Sequence, residues 1–584
     1  MRFVGALLCL ASATPAAAAI LSPAPILSPA ATTGRTLAAI HRSVPVQIVL
    51  ASRSAWKAVF ADLRAGRYNI AASALERLGD APVRPYVQAE LLLARGIAPG
   101  VTNVAAFLAA NPDLPQAPRL SAKFGWSGAA TLPRAADLYL TTYSHASAHE
   151  RARGDALEAA VRPLVTAEQP AQAEVGWMRL SRGADADARA EWAHKIAWSY
   201  YRQGDDAGAR RMGMAAAQSA SNHGAMGAWV AGLAAWRADD CASAAGLFDA
   251  VAAKSPGEDL SAAAAYWASR AHFACERPDL ATQRLQLAAA YPQSFYGLLA
   301  RRALGLADGL DWSEPDFIKA DWNHLSAHPG ARRAVALVEI GQLGLADREL
   351  RWLATTAEPT DYAAILRLAA RLSLPATQLW MSSRSPTGAP TPISARFPAP
   401  DWTPPRGWRV DQALVYAHAL QESRFATDVV SRAGARGVMQ MMPATALKVA
   451  RDMGLPGGEL RDPAFNIECG QTYLEQLRDT SYTAGLLPKV IAAYNAGPGS
   501  VQKWNVTVRD NGDPLLFIES IPFRETRAYV EIVLRNYWMY ELRDGRAPAS
   551  MDALAAGLWP KFPGMPGAIA VRMERSGTVM AARP

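Results

Sequence analysis

The chain has 584 residues, too many for one compact core, and at roughly 100–200 residues per domain it divides into three or four units. Half of it is apolar, 19% is charged and the mean hydropathy is −0.02, which excludes a polytopic membrane protein and a mostly disordered chain. Lys and Arg number 60 against 52 Asp and Glu, a +8 excess rich in Arg and spread thinly. Such a charge admits nucleic acid, an anionic membrane or an anionic polymer as partner and selects none of them.

The N-terminus reads Met1, Arg2, an apolar run from Phe3 to Leu10, then Ala16–Ala19. A positive start, a short apolar core and an A-x-A ending predict a secretory signal peptide over residues 1–19, hence a periplasmic protein. The run is shorter than the roughly 20 residues that span a bilayer, so no transmembrane anchor is expected. Cys9 follows Leu8 rather than a small residue, against a lipid anchor. Residues 20–50 are rich in Pro, Ala and Ser and read as a flexible leader.

Residues 51–385 are rich in Ala and Leu with helical periodicity and short turns. The turns at Asp205, Asp239 and Asp279 align, 34 and 40 residues apart, and each unit reads as helix, turn, helix. That period and content predict an α-superhelix, a solenoid of tetratricopeptide type. Three cysteines follow the signal segment: Cys241, Cys275 and Cys469. An odd, sparse set is no disulfide framework. Cys241 opens the second helix of one unit and Cys275 closes the first helix of the next, which leaves two arrangements open: a bond between them, or three buried thiols.

Seven prolines fall between Ser385 and Pro405, and residues 386–408 read as an interdomain linker. Residues 409–545 form a second helical block with more Gly and longer loops, and 546–584, with few periodic apolar positions, a C-terminal extension. The fold class is therefore all-α.

Common catalytic motifs are mostly absent: no H-E-x-x-H, C-x-x-C, G-x-S-x-G or G-x-x-x-x-G-K-[ST]. His145 and His149 lack a third ligand, and Ser54-x-x-Lys57 lacks a K-T-G partner, so no metal is expected. The informative stretch begins at Val410, where Val410, Leu414, Ala417 and Leu420 repeat at helical spacing. Glu422 ends that apolar helix and faces the Gly-rich, Met-rich segment Ser431–Pro443. A carboxyl desolvated there has a raised pKa and stays protonated as a general acid.

Four blocks then stand in order: QESRF (421–425), SRAGARGVMQMMPATA (431–446), AAYNAGPG (492–499) and IESIPFRETRAYV (518–530). Together they resemble the soluble lytic transglycosylases that cleave bacterial peptidoglycan, over about a quarter of the chain. Upstream, Ser294–Ala300 is similar to the segment where that family's helical superhelix approaches its lysozyme-like catalytic domain. The resemblance implies that Glu422 is the single catalytic acid/base. It implies that Ser431, Gln440, Met442, Tyr494 and Glu525 line the glycan cleft or meet the peptide stem, with Asn495 and Tyr529 as supports. Two departures stand out: Leu420 replaces the usual Arg, and Val438 and Met441 replace Leu in the G-L-M-Q-L-M-P pattern.

The implied reaction needs no cofactor and no metal. It splits the β-1,4 bond between N-acetylmuramic acid and N-acetylglucosamine without water and leaves a 1,6-anhydro end. The implied partner is the peptidoglycan glycan strand, not nucleic acid, with no protein of cell-wall synthesis identified. An array closing into a ring would make the cutting exolytic. Two alternatives share parts of the pattern: a goose-type muramidase that uses water, and a non-catalytic periplasmic scaffold.

Overall fold

The computed structural model describes residues 40–136, 139–140, 155–255, 257–388, 390–454, 457–574 and 579–580. The expected signal peptide and most of the leader lie outside these residues, as do His145 and His149. The described part of the leader is held in place. Ile40, Val44 and Ile48 are buried, and the backbone N–H groups of Gln47 and Ile48 donate to the Glu339 carboxylate at 2.9 and 2.6 Å.

The described chain is all-α apart from a short antiparallel pair, Tyr139–Leu140 with Arg384–Ser385, and a small sheet of 559–560, 570–573 and 579–580. Helices form where small apolar residues recur on one face, as in Asn222–Arg237, where Ala225, Ala228, Ala231, Ala234 and Ala235 are all buried. Gly213 and Gly227 let two helices approach until a Cβ on Gly227 would lie 2.8 Å from the Gly213 carbonyl oxygen.

The repeat rests on one turn. In seven helix pairs of the array, among the described residues, a left-handed residue joins the helices: Gly66, Glu168, Gly204, Asp239, Glu276, Gly341 and Ser373. In each the next N–H closes on the carbonyl five residues back, for example Asp205 on Tyr200, Asp240 on Ala235 and Arg277 on His272. The equivalent positions are thus Asp205, Asp240 and Arg277, which corrects the alignment on Asp205, Asp239 and Asp279. Only Gly66, Gly204 and Gly341 carry the residue that adopts this conformation at no steric cost. The other four pay roughly 1–2 kcal/mol each for it, and the repeat is faint in sequence for that reason. Cys241 and Cys275 are bonded, with Cα atoms 5.7 Å apart, and cross-link neighbouring units; Cys469 is a buried free thiol.

Two hydrophobic cores result. One joins helices of 40–132 to helices of 317–395. The other joins 157–300 to the block from 397 to 562, so the middle helices of the array and the second helical block share one interior. Their seam is polar as well as apolar. Tyr201 and Ser520 share a hydrogen bond of 2.8 Å, Tyr296 donates to Glu519, and Arg270 meets Asp513 at 2.7 Å. The rings of Phe295 and Trp538 stack at 4.9 Å.

The proline-rich stretch is a strap. Phe397 and Trp402 are buried, Pro400 O accepts from the Tyr416 hydroxyl, and Pro398 O accepts from Tyr540 at 3.0 Å. Beyond 545, helix Ala549–Ala555 and buried Trp559 and Phe562 pack on the second block, and Trp559 Nε1 donates to Gly512 O at 2.8 Å. Among the described residues no helix is long and apolar enough to cross a membrane.

Candidate active site

Helix Gln412–Ser423 carries the glutamate. Asp411 caps its start by accepting from the Ala413 N–H at 2.9 Å, and every residue from Ala413 to Ala419 is buried. The helix ends at Arg424 with φ 52°, a left-handed C-cap that turns the chain sharply and leaves Glu422 in the last turn, half-buried. Burial pushes its carboxyl up to about 7, and the Glu525 charge adds to the rise. The Tyr529 hydroxyl donates to Oε1 at 2.6 Å and partly opposes it by favouring the ionised form. Tyr529 comes from helix Arg524–Arg543, whose first turn also carries the exposed Glu525.

Facing the glutamate is the 431–442 loop, folded on itself by short-range bonds. Ser431 Oγ accepts from the Ala435 N–H at 3.0 Å, and Arg436 and Met441 exchange backbone hydrogen bonds of 3.0 Å. Ser423 Oγ donates to Val438 O at 2.7 Å and pins the loop to the glutamate helix. Gln440 sits at φ 47° with its amide on Gly437 O, and Met442 is 42% exposed. Gly437 is required: at φ 75°, a Cβ there would lie 2.1 Å from Leu460 O.

Tyr494, from helix Leu487–Ala496, donates its hydroxyl to Met439 O at 2.9 Å, so it braces the loop from below. Its ring packs 4.9 Å from His418, which lies one helical turn before Glu422 and is fully buried. His418 Nδ1 donates to Leu414 O at 2.8 Å and burial pushes its pKa down to about 4, so the imidazole is neutral. Asn495 Oδ1 accepts from the Thr526 hydroxyl at 2.6 Å and ties the Tyr494 helix to the start of the Tyr529 helix.

Of the eight residues singled out in the sequence, Tyr529 and Glu525 act on the Glu422 carboxyl itself, Ser431, Gln440 and Met442 belong to the loop that Ser423 pins to the glutamate helix, and Tyr494 and Asn495 form a second layer that ties these parts together. Asn466 was missed. Fully buried, it accepts from the Met439 N–H at 2.8 Å and donates to both Arg436 O and Leu460 O at 2.9 Å, three bonds that fix the loop's path. Its signal was a lone amide inside the apolar stretch Phe465–Ile467. A cavity of about 790 Å³ elsewhere, between helix Leu50–Arg64, the Gly341–Leu345 turn and residues 459–464, holds none of the eight. Among the described residues no His, Cys, Asp and Glu cluster could hold a metal.

Residues 405–517 match the family model described as the transglycosylase SLT domain. Over these residues the chain is similar to SLT domains. The SLT domain region is 38% identical over 155 residues to a soluble lytic murein transglycosylase of Escherichia coli K12, covering 26% of this chain and 24% of that protein. It is 39% identical over 151 residues to that of Salmonella typhimurium, covering 25% and 23%. The matches thus span about a quarter of the curated relatives' length. The fold match is wider. The 70 kDa soluble lytic transglycosylase of Escherichia coli aligns at TM-score 0.52 and 20% identity, over 88% of this chain and 99% of that one. A lytic transglycosylase of Pseudomonas aeruginosa, solved as an inactive mutant, aligns at TM-score 0.52 and 21% identity over 85% and 97%. The architecture is thus an α-superhelix followed by a lysozyme-like SLT domain.

Proposed function

We propose that the protein is a periplasmic lytic transglycosylase of peptidoglycan. One observation carries the reading: a single half-buried carboxyl, Glu422, raised to about 7 and anchored through one oxygen by Tyr529, at the end of an apolar helix. With Oε1 engaged, Oε2 is left to face a substrate. Protonated Glu422 donates to the glycosidic oxygen between N-acetylmuramic acid and N-acetylglucosamine. The muramic N-acetyl oxygen stabilises the positive charge that develops at C1. Glu422, now ionised, takes the proton of the C6 hydroxyl as O6 bonds to C1. The products are an alcohol and a 1,6-anhydro end, no water is consumed, and Glu422 ends protonated. Ordinary glycosidases instead use two carboxylates.

Ser431, Gln440, Met442 and Glu525 form the cleft wall in this reading. A shared core between the first helices and residues 317–395 supports a closed array, which would admit strands by their ends and release anhydro-disaccharides in sequence. The disulfide suits an oxidising compartment such as the periplasm. The presence of Glu525 close enough to raise Glu422 keeps a hydrolytic muramidase as the second reading.

Product analysis separates the two. Mass spectrometry of digested murein should show ends lighter by one water, and Glu422→Gln should lower turnover at least about 100-fold while leaving the fold intact. Reducing ends carrying water would replace the lyase by a hydrolase. Near-wild-type turnover by the variant would remove Glu422 from the chemistry. Early medium-length oligomers on long strands would refute exolytic cutting.

A further inference from the structure

The proposed reaction gives His418 no part, although its ring stands against both tyrosines that serve the site. The imidazole centroid lies 4.9 Å from the Tyr494 ring and 6.1 Å from the Tyr529 ring. His418 precedes Glu422 by four residues on helix Gln412–Ser423, and side chains at that spacing share one helix face. A helical side chain also leans over the turn before its own Cα, which brings the Glu422 carboxyl back toward His418. Tyr529 meets both: its hydroxyl lies 2.6 Å from Glu422 Oε1, and its ring meets the imidazole edge to face at 62°.

One hydrogen bond fixes which nitrogen is bare. Leu414 O can only accept, so Nδ1, 2.8 Å away, carries the proton. Nε2 is then a lone-pair acceptor, and it is buried with no hydrogen-bond partner among the described residues. A leucine would fill this place without leaving an acceptor bare, which is costly in a protein interior. The polar and titratable groups around the ring come from four elements. Glu422 lies on its own helix, Tyr494 on Leu487–Ala496, and Tyr529 and Glu525 on Arg524–Arg543. Behind Tyr494 stand Tyr473, with rings 5.5 Å apart, and Cys469, both on helix Pro463–Arg478. None of these is a cation. Burial keeps His418 neutral down to about 4, whereas Glu422 titrates near 7, so the ring faces the working carboxyl as a neutral dipole with its negative end at Nε2.

We propose that His418 is a positioning residue that keeps Glu422 in its proton-donating form, because the bare Nε2, aimed by the Nδ1–Leu414 bond, sets a negative dipole end beside the carboxyl. The proposal rests on Glu422 as the general acid and names the group that holds its proton. His418 thereby offsets Tyr529, whose hydroxyl favours the ionised form. A role in packing alone predicts the opposite sign. An apolar side chain in place of the imidazole would make the surroundings of the carboxyl drier and hold its proton more tightly. Loss of a repelling lone pair instead frees the carboxylate and loosens the proton.

The Glu422 titration can be read directly, by NMR of the full chain carrying ¹³C at the glutamate carboxyl carbons, with Glu422→Gln identifying the resonance. His418→Leu and His418→Phe should each lower the Glu422 pKa by at least about half a unit, roughly a threefold loss in the ratio of protonated to ionised carboxyl. The alkaline limb of kcat/KM on murein should move to lower pH by the same amount. Phenylalanine keeps a planar ring between the tyrosines, so a fall shared by both variants is not an effect of lost packing, and thermal melts show that each variant is folded. A Glu422 pKa that stays in place or rises in either folded variant would overturn the proposal. So would a lower kcat with the alkaline limb unmoved, the mark of a purely structural role. The titration needs no turnover, so the two readings fail separately. Near-wild-type turnover by Glu422→Gln would refute the reaction, while the carboxyl resonance would still decide what His418 does.

Discussion

Removing the Tyr529 hydroxyl tests the acid/base assignment most directly. Tyr529→Phe deletes one oxygen, and the ring, only 4% exposed, stays packed against its neighbours. The lost bond is a 2.6 Å donation to Glu422 Oε1, charge-assisted when the carboxyl is ionised. Such bonds contribute about 1.5–3 kcal/mol, and one pKa unit corresponds to about 1.4 kcal/mol, so Glu422 should rise from about 7 by about one to two units. The sign follows from the chemistry: the hydroxyl stabilises the carboxylate, so its loss favours the protonated form. A general acid works while protonated, so the alkaline limb of kcat/KM should move upward by the same amount. The plateau should fall, because Glu422 loses its anchor. The assay is release of soluble fragments from murein across pH 5–10, with thermal melts as a fold control. An alkaline limb that stays put, or moves to lower pH, would refute the reasoning.

Three further outcomes follow from the same contacts. Asn466→Ala leaves the Met439 N–H without its acceptor and Leu460 O without its donor, and takes one of two donors from Arg436 O, so it should cost about 1–3 kcal/mol in urea unfolding and lower kcat. Replacing both Cys241 and Cys275 by Ser should lower stability by about 2–4 kcal/mol, and dithiothreitol should have the same effect on the native protein. His418 has a folded pKa near 4 against about 6.5 unfolded, so the unfolded chain takes up a proton first as pH falls. Stability is therefore lost between about pH 6.5 and 4, by up to about 3 kcal/mol, and His418→Leu should flatten that slope whatever it does at pH 7; an unchanged slope would show that His418 titrates normally.

Much of the site was legible because its parts are local. Glu422 ends a continuous apolar helix, and the Gly437 and Gln440 turns lie in one stretch of sequence with a demanding backbone. The bonds between layers were not legible. Nothing near Tyr494 marks its hydroxyl as a brace on Met439 rather than a group facing solvent, and nothing marks His418 as neutral, because both depend on residues 55 and more positions away or on depth alone. The array's register slipped for a related reason. Asp239, Glu276 and Ser373 occupy a turn where glycine would have announced itself, and the shared backbone bond leaves no trace in side-chain type. Residues 40–49 read as loose because Pro and Ser dominate their neighbourhood, yet three apolar side chains and the Glu339 carboxylate hold them.

The strap at 393–405 has a consequence for anyone dividing the protein into pieces. By composition, a cut before residue 409 looks harmless. A fragment that starts there would carry the SLT domain without Phe397 and Trp402, and would strand the hydroxyls of Tyr416 and Tyr540, whose acceptors are Pro400 O and Pro398 O. Two buried donors without partners cost on the order of 1–3 kcal/mol each, before the exposed aromatic faces are considered. A viable truncation has to begin ahead of Ile393 and carry the strap with it, and a protease seeking a nick between the two halves would find its intended cleavage stretch already gripped on both sides.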